Sequence, residues 1–128
     1  MIKDFDNWNN NKKKISNKDS LPQFSEREVW WCSLGVNVGY EEDGKGKDYL
    51  RPVLIVRKFN KGIFYGVPIT SKSKNDKFHA PVNSGEIVGS VILSQMRLVD
   101  AKRLSHFFGK ITEIELGEIK KKLKSLIS

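Results

Sequence analysis

Between Glu26 and Val99 the apolar residues come in short runs bounded by glycine, proline and polar turn formers, the pattern of strands in an all-β domain. Val29-Trp30-Trp31-Cys32-Ser33-Leu34 is the first such run, bounded by Gly35 and Gly39. A polar stretch from Gly39 to Tyr49 follows, with Gly39, Gly44 and Gly46 among the acids Glu41, Glu42, Asp43 and Asp48. Pro52-Val53-Leu54-Ile55-Val56 and Ile63-Phe64-Tyr65-Gly66-Val67-Pro68-Ile69 are the next two runs. The turn signal Asn60-Lys61-Gly62 between them predicts an antiparallel hairpin. Residues 70–77 are a polar loop. Phe78 to Val82 reads as a short edge strand, because Pro81 has no N–H to give to a central ladder. Gly85 and Gly89 flank another turn region, Ser90 to Leu93 is a buried strand, and Gln95 to Val99 continues extended.

The period changes at the C-terminus. Leu116, Ile119, Leu123 and Leu126 fall at spacings of 3, 4 and 3, one face of an α-helix. Thr112 and Glu115 have the spacing of a capping box, and Ile111 and Leu116 that of a hydrophobic staple. Lys120–Lys124 lie toward the end where cations favour the helix dipole. Residues 1–25 differ from the rest. Phe5, Trp8, Lys12 and Ile15 share one helical face, but Asn7, Asn9, Asn10 and Asn11 weaken a helix. The chain therefore divides into an N-terminal, partly helical extension over 1–25 and one domain over 26–128. Its class is mainly β, a small barrel closed by a C-terminal helix, rather than an alternating βαβ fold.

Composition narrows the function classes. The chain has 128 residues and a formal net charge of +8, from 23 Lys and Arg against 15 Asp and Glu. Such a balance points to a polyanionic partner, nucleic acid first, against the plain alternative of a lysine-rich surface. The single cysteine, Cys32, excludes an intrachain disulfide and sits inside an apolar strand, so a buried, inert thiol is the expectation. Cys32, His79 and His106 have no metal-ligand spacing, so neither a metal nor a cofactor is expected. No apolar run has the length of a membrane span and Met1 to Ser20 is not a signal peptide, so the expectation is a cytoplasmic protein with no membrane partner.

Arg51 stands between the acidic, glycine-containing loop and a strand. Thr70-Ser71 stands at the exit of the next strand, so a hairpin would bring both to one end. A guanidinium beside two hydroxyls suits a phosphate: Arg offers fork-like donors and permanent charge, and the hydroxyls donate to the remaining oxygens. Lys45 and Lys47, alternating with Gly44 and Gly46, lack P-loop spacing; they form either a plain loop or a cover over a bound strand.

Arg27-Glu28-Val29-Trp30, Val38-Gly39-Tyr40-Glu41, Leu50-Arg51-Pro52-Val53-Leu54-Ile55-Val56, Val67-Pro68-Ile69-Thr70-Ser71, Ile92 to Asp100 and Lys102-Arg103-Leu104 occur in the order seen in MazF/PemK-type toxins. The chain resembles that family from about Arg27 to the C-terminal helix. The resemblance implies an SH3-like barrel of the MazF/PemK/CcdB type, found as a homodimer. It implies metal-independent endoribonuclease cleavage of single-stranded RNA at short sequences, and a cognate antitoxin protein as partner. By position it assigns catalysis to Arg51 and Thr70 and the RNA groove to Gln95 and Arg97. Ser71 joins the RNA-binding set by adjacency, Tyr40 (with Tyr49 and Phe78) as a stacking surface, and Lys45 and Lys47 by charge. The sequence departs from the family pattern in four places. Arg27-Glu28 stands for a common Gly-Asp pair, the loop before Arg51 is longer, and Tyr40 and Ser94 replace a His and an Asp of some relatives. The missing His and Asp favour one alternative, a barrel that binds RNA or antitoxin without cutting; a second, a gyrase-directed toxin, follows from a related toxin family that shares the barrel and is opposed by the retained Arg51 and Thr70 positions.

Overall fold

The computed structural model describes residues 21–34 and 50–127. The partly helical extension expected over 1–25 falls mostly outside the described residues, as do Tyr40, Lys45 and Lys47.

Seven strands and one helix make up the described chain: β1 (Glu28–Ser33), β2 (Leu50–Lys58), β3 (Ile63–Thr70), β4 (His79–Ser84), β5 (Ile87–Ile92), β6 (Arg97–Asp100), β7 (Leu104–Lys110) and α1 (Glu113–Ile127). The hydrogen-bonded path runs β4-β5-β3-β2-β1-β7, with β6 paired to β3. All pairings are antiparallel. The expected hairpin is present as β2 and β3. Its turn is closed by Phe59 N–H donating to the Ile63 carbonyl (3.0 Å) and by Gly62 N–H donating to Asn60 Oδ1 (2.7 Å). β4 and β5 are joined by a two-residue turn, Ser84 facing Ile87 across it. Gly85 has φ 62° there, a conformation of little steric cost only to glycine. β4 lies at one end of the path, as Pro81 requires.

The mainly β architecture with its C-terminal helix is the one expected, but the hydrogen-bonded circuit stays open: β4 and β7, the ends of the path, do not pair. Side chains close the gap instead. Ile87 Cδ1 lies only 2.9 Å from where a Cβ on Gly109 would sit, so glycine there lets β5 approach β7. β7 is not among the expected strands. Its pairing with β1 is broken by two register shifts, and most of its side chains are exposed or half-buried, so no clean alternation marks it. The extended segment expected over Gln95 to Val99 is interrupted too: Leu93–Gln95 form a 3-10 turn, and β6 starts only at Arg97.

Two cores lie on opposite faces of the sheet. In the first, Val29, Leu54, Val67, Ile69 and Val91 pack under α1 through Ile111, Leu116, Ile119 and Leu123. In the second, Phe24, Cys32, Val53, Ile55, Phe64 and Val99 pack together, with Leu21, Trp30 and Leu34 at its margin. β2 feeds both, Leu54 and Val56 to one side and Val53 and Ile55 to the other, which explains its unbroken apolar run. The helix starts as its sequence signals require. Thr112 Oγ1 accepts from Glu115 N–H (3.1 Å), Thr112 N–H donates back to Glu115 Oε1 (3.3 Å), and Ile111 and Leu116 are buried in one cluster. Trp30 and Trp31 point to opposite faces and neither is fully buried. Trp30 meets Phe107 edge-on, whereas Trp31 stacks on Phe108 and His106.

Candidate functional site

Buried polar groups are costly unless they are satisfied, so their position is informative. Among the described residues the buried polar side chains are Arg51 (5% exposed), Thr70 (6%) and Ser90 (0%). All three meet at one end of the sheet. Thr70 and Ser90 are register partners where β3 pairs β5. The β2–β3 register sets Val53 opposite Pro68; carried two residues on, it would bring Arg51 opposite Thr70. Alternation along the strands then puts Arg51, Val53, Pro68 and Thr70 on the side of the second core.

A cleft of about 310 Å³ opens there, lined by Leu34, Arg51, Pro68, Ser94, Gln95, Met96 and Arg97. Arg51 is set at the start of β2, across from Cys32 of β1, on the rim of the second core. Gln95 and Arg97 come from the 3-10 turn and the start of β6. Three of the expected site residues, Arg51, Gln95 and Arg97, therefore share one cleft wall. Thr70 is the last residue of β3 and the register partner of Ser90 on β5. It is not on that wall, and its Oγ1 accepts from Lys72 N–H (3.3 Å). Ser71 follows and is exposed.

Two residues behind the site went unnoticed as site residues in the sequence. Ser90 Oγ donates to the Lys72 carbonyl (2.6 Å) and accepts from Lys74 N–H (3.3 Å), so a hydroxyl from β5 holds the chain that leaves Thr70. Gly89 beside it has φ 145°, and a Cβ there would lie 2.0 Å from the Thr70 carbonyl oxygen. A glycine inside a strand is the available signal for such a close approach. The cleft wall also includes Ser94, which stands where some relatives have an Asp, and Leu34 and Met96, which were not among the expected site residues.

The titratable groups elsewhere in the molecule fit other roles. Burial pushes the Cys32 thiol up to about 12, in keeping with an inert side chain. His79 Nδ1 is hydrogen-bonded to Asp76 Oδ1 (2.8 Å), and His106 lies on β7 against Trp31. No group of three or more His, Cys, Asp and Glu side chains able to hold a metal occurs among the described residues. No helix among them is long and apolar enough to cross a membrane.

Several solved structures share this fold. An endoribonuclease in complex with its cognate antitoxin from a mycobacterial species matches with a TM-score of 0.63 and 16% identity, over 82% of this chain and 95% of that one. MazF from Deinococcus radiodurans matches with a TM-score of 0.62 and 20% identity, over 85% and 98%. A MazE–MazF structure from the same organism matches at 0.58 and 20%, over 86% and 98%. No curated protein matches the sequence. The family model of PemK-like, MazF-like toxins of type II toxin–antitoxin systems matches residues 25–127, well over half of the chain. With that match, the chain belongs to the PemK-like, MazF-like toxin family of type II toxin–antitoxin systems.

Proposed function

We propose that the protein is a cytoplasmic toxin endoribonuclease that cuts single-stranded RNA without a metal, acts as a homodimer and is neutralised by a cognate antitoxin. The observation that carries this reading is the buried Arg51 guanidinium in a cleft whose wall also holds Gln95 and Arg97. An arginine remains protonated, so burial at a cleft gives a permanent, pre-oriented positive charge. Family membership and the endoribonuclease among the structural relatives support the same reading.

In the reaction a ribose 2′-oxygen attacks the adjacent phosphorus. The P–O5′ bond breaks, the 2′-OH loses its proton and the departing 5′-oxygen gains one. The products are a 2′,3′-cyclic phosphate and a 5′-OH fragment. Negative charge grows on the phosphoryl oxygens in the transition state, and Arg51 stabilises it, with Thr70 as a second donor at that end of the sheet. Gln95 and Arg97 hold the strand along the cleft, and Ser71, Tyr40, Lys45 and Lys47 extend the RNA contacts. The nucleophile belongs to RNA, so DNA binds without being cut.

The test is incubation of wild-type and Arg51→Ala protein with a long single-stranded RNA in EDTA, with fragment ends mapped. Discrete cuts with cyclic-phosphate ends are expected from the wild type. The variant should be slower by roughly 100-fold or more, the loss found when one oxyanion donor is deleted. Intact RNA from a folded wild type would overturn cleavage and leave a barrel that binds without cutting.

A further inference from the structure

The loop between β3 and β4, residues 71–78, carries Lys72, Lys74 and Lys77 and ends in Phe78, all exposed, with Phe78 at 48%. Exposed loops with small polar residues are usually loose. This one is pinned from two sides. At its root, the fully buried Ser90 hydroxyl bonds the Lys72 carbonyl and the Lys74 N–H (2.6 and 3.3 Å). At its tip, Lys122 reaches across from α1, and its ammonium donates to Asn75 Oδ1 (2.8 Å) and to the carbonyls of Asp76 (3.1 Å) and His79 (2.8 Å). Asp76, the one acid of the loop, is turned to its own backbone. Its carboxylate accepts from Phe78 N–H (2.9 Å) and meets His79 Nδ1 (2.8 Å). The three loop lysines are exposed, and Lys77 Nζ lies 5.8 Å from the Phe78 ring centroid.

The far end of the loop is tied to the cleft. The loop begins directly after Thr70, the partner of Ser90 behind the site. It ends at Phe78, whose carbonyl accepts from Leu93 N–H (2.8 Å), the first residue of the turn that supplies Ser94 and Gln95 to the cleft wall. Exposed cations along one loop, one of them beside an exposed aromatic ring, on backbone held by hydrogen bonds at root and tip, are what a single-stranded nucleic acid needs: phosphates meet the ammonium groups and a base stacks on the ring. Prior ordering also reduces the entropy lost on binding.

We propose that residues 71–78 form a rigid arm that binds single-stranded RNA beyond the cleft, with Lys72, Lys74 and Lys77 on phosphates and Phe78 under a base. This extends the reading of the cleft as an RNA site and rests on it. Ser90 and Lys122 are positioning residues: they hold the arm without needing to touch the ligand.

The test measures binding separately from cleavage. A mixed-sequence 20-nucleotide 2′-O-methyl RNA, which lacks the free 2′-OH, is titrated by fluorescence anisotropy across a salt series. The proteins are wild type, Phe78→Ala, the Lys72→Ala/Lys74→Ala/Lys77→Ala triple variant and Lys122→Met, with thermal melts as the folding control. Phe78→Ala should weaken binding roughly 5-fold or more, the loss of one stacked base. The triple variant should lower the slope of log affinity against log salt by about 2, from about 0.7 per lysine on a single strand. Lys122→Met should weaken binding while keeping the wild-type salt slope, because it frees the arm but leaves its charges. Wild-type affinity and slope in folded arm variants would overturn the proposal, and so would a wild type that does not bind the RNA. Cleavage of long RNA, run in parallel, decides the nuclease reading on its own: an arm that binds in a protein that does not cut separates the two.

Discussion

The two cores of this sheet share β1, β2 and β3 and do different work. The core under α1 is apolar throughout and is closed by a helix whose cap, staple and apolar face are all local features of the sequence. The core on the other face is smaller. It is covered by Phe24 and by chain around Val99 and Ala101, and at one end it gives way to Arg51 and an open cleft. A sheet buried on one face and only partly covered on the other can hold a permanent charge in a low-dielectric setting and still admit a ligand. The first face supplies stability to the site, and the second supplies the site.

The largest change should come from breaking the second core itself. Phe64 is fully buried and packs on Phe24 with ring centroids 5.1 Å apart. Phe64→Ala should destabilise the protein by about 3–5 kcal/mol, read from urea unfolding. A loss below about 1 kcal/mol would mean that this face is not a core. Gly89→Ala comes next, because it attacks the junction between the faces. The new Cβ would collide with the Thr70 carbonyl in a backbone conformation that suits glycine. A loss on the order of 3 kcal/mol is expected, together with slower RNA cleavage as Thr70 shifts. Wild-type cleavage by this variant would disconnect β5 from the site.

A smaller effect sharpens the first face. Burial pushes the Glu115 carboxyl up, but hydrogen bonds from Ser84 Oγ, Asn83 N–H and Thr112 outweigh it and hold the group below its ordinary range. That carboxylate joins the start of α1 to the β4–β5 hairpin. Because its folded value is depressed, its contribution is present above the ordinary Glu range and is lost as pH falls through that range and below. Glu115→Gln should cost about 1–2 kcal/mol at pH 7 and flatten the acid limb of the stability profile. An unchanged acid limb in that variant would assign the acid dependence to other carboxylates. The smallest effect concerns Cys32. With its thiol pushed to about 12, native protein at pH 8 should resist thiol-labelling reagent until urea unfolds it. Rapid labelling of native protein would show that the second face opens.

Elements whose signals are local can be read directly from the residues. The capping box and four leucine and isoleucine positions specify α1 because a helix bonds to itself within four residues. The β2–β3 hairpin is legible from Asn60-Lys61-Gly62 between two apolar runs, since a tight turn sets the register. Arg51 is legible from its place at the end of the hairpin, Gln95 and Arg97 only through the family resemblance, and the fold brings the three to one cleft. Other features depend on contacts between distant parts of the chain. β7 has two register shifts against β1 and few buried side chains, so its strand character depends on its neighbour rather than on its own pattern. The 3-10 turn at Leu93–Gln95 is tied by its first N–H to the carbonyl of Phe78, a partner fifteen positions earlier in the chain. The role of Ser90 depends on the β3–β5 pairing, which puts a serine twenty positions along the chain beside Thr70. Hydrogen bonds made across such separations leave no periodic trace in a sequence, because nothing local to either partner needs to change for the bond to form.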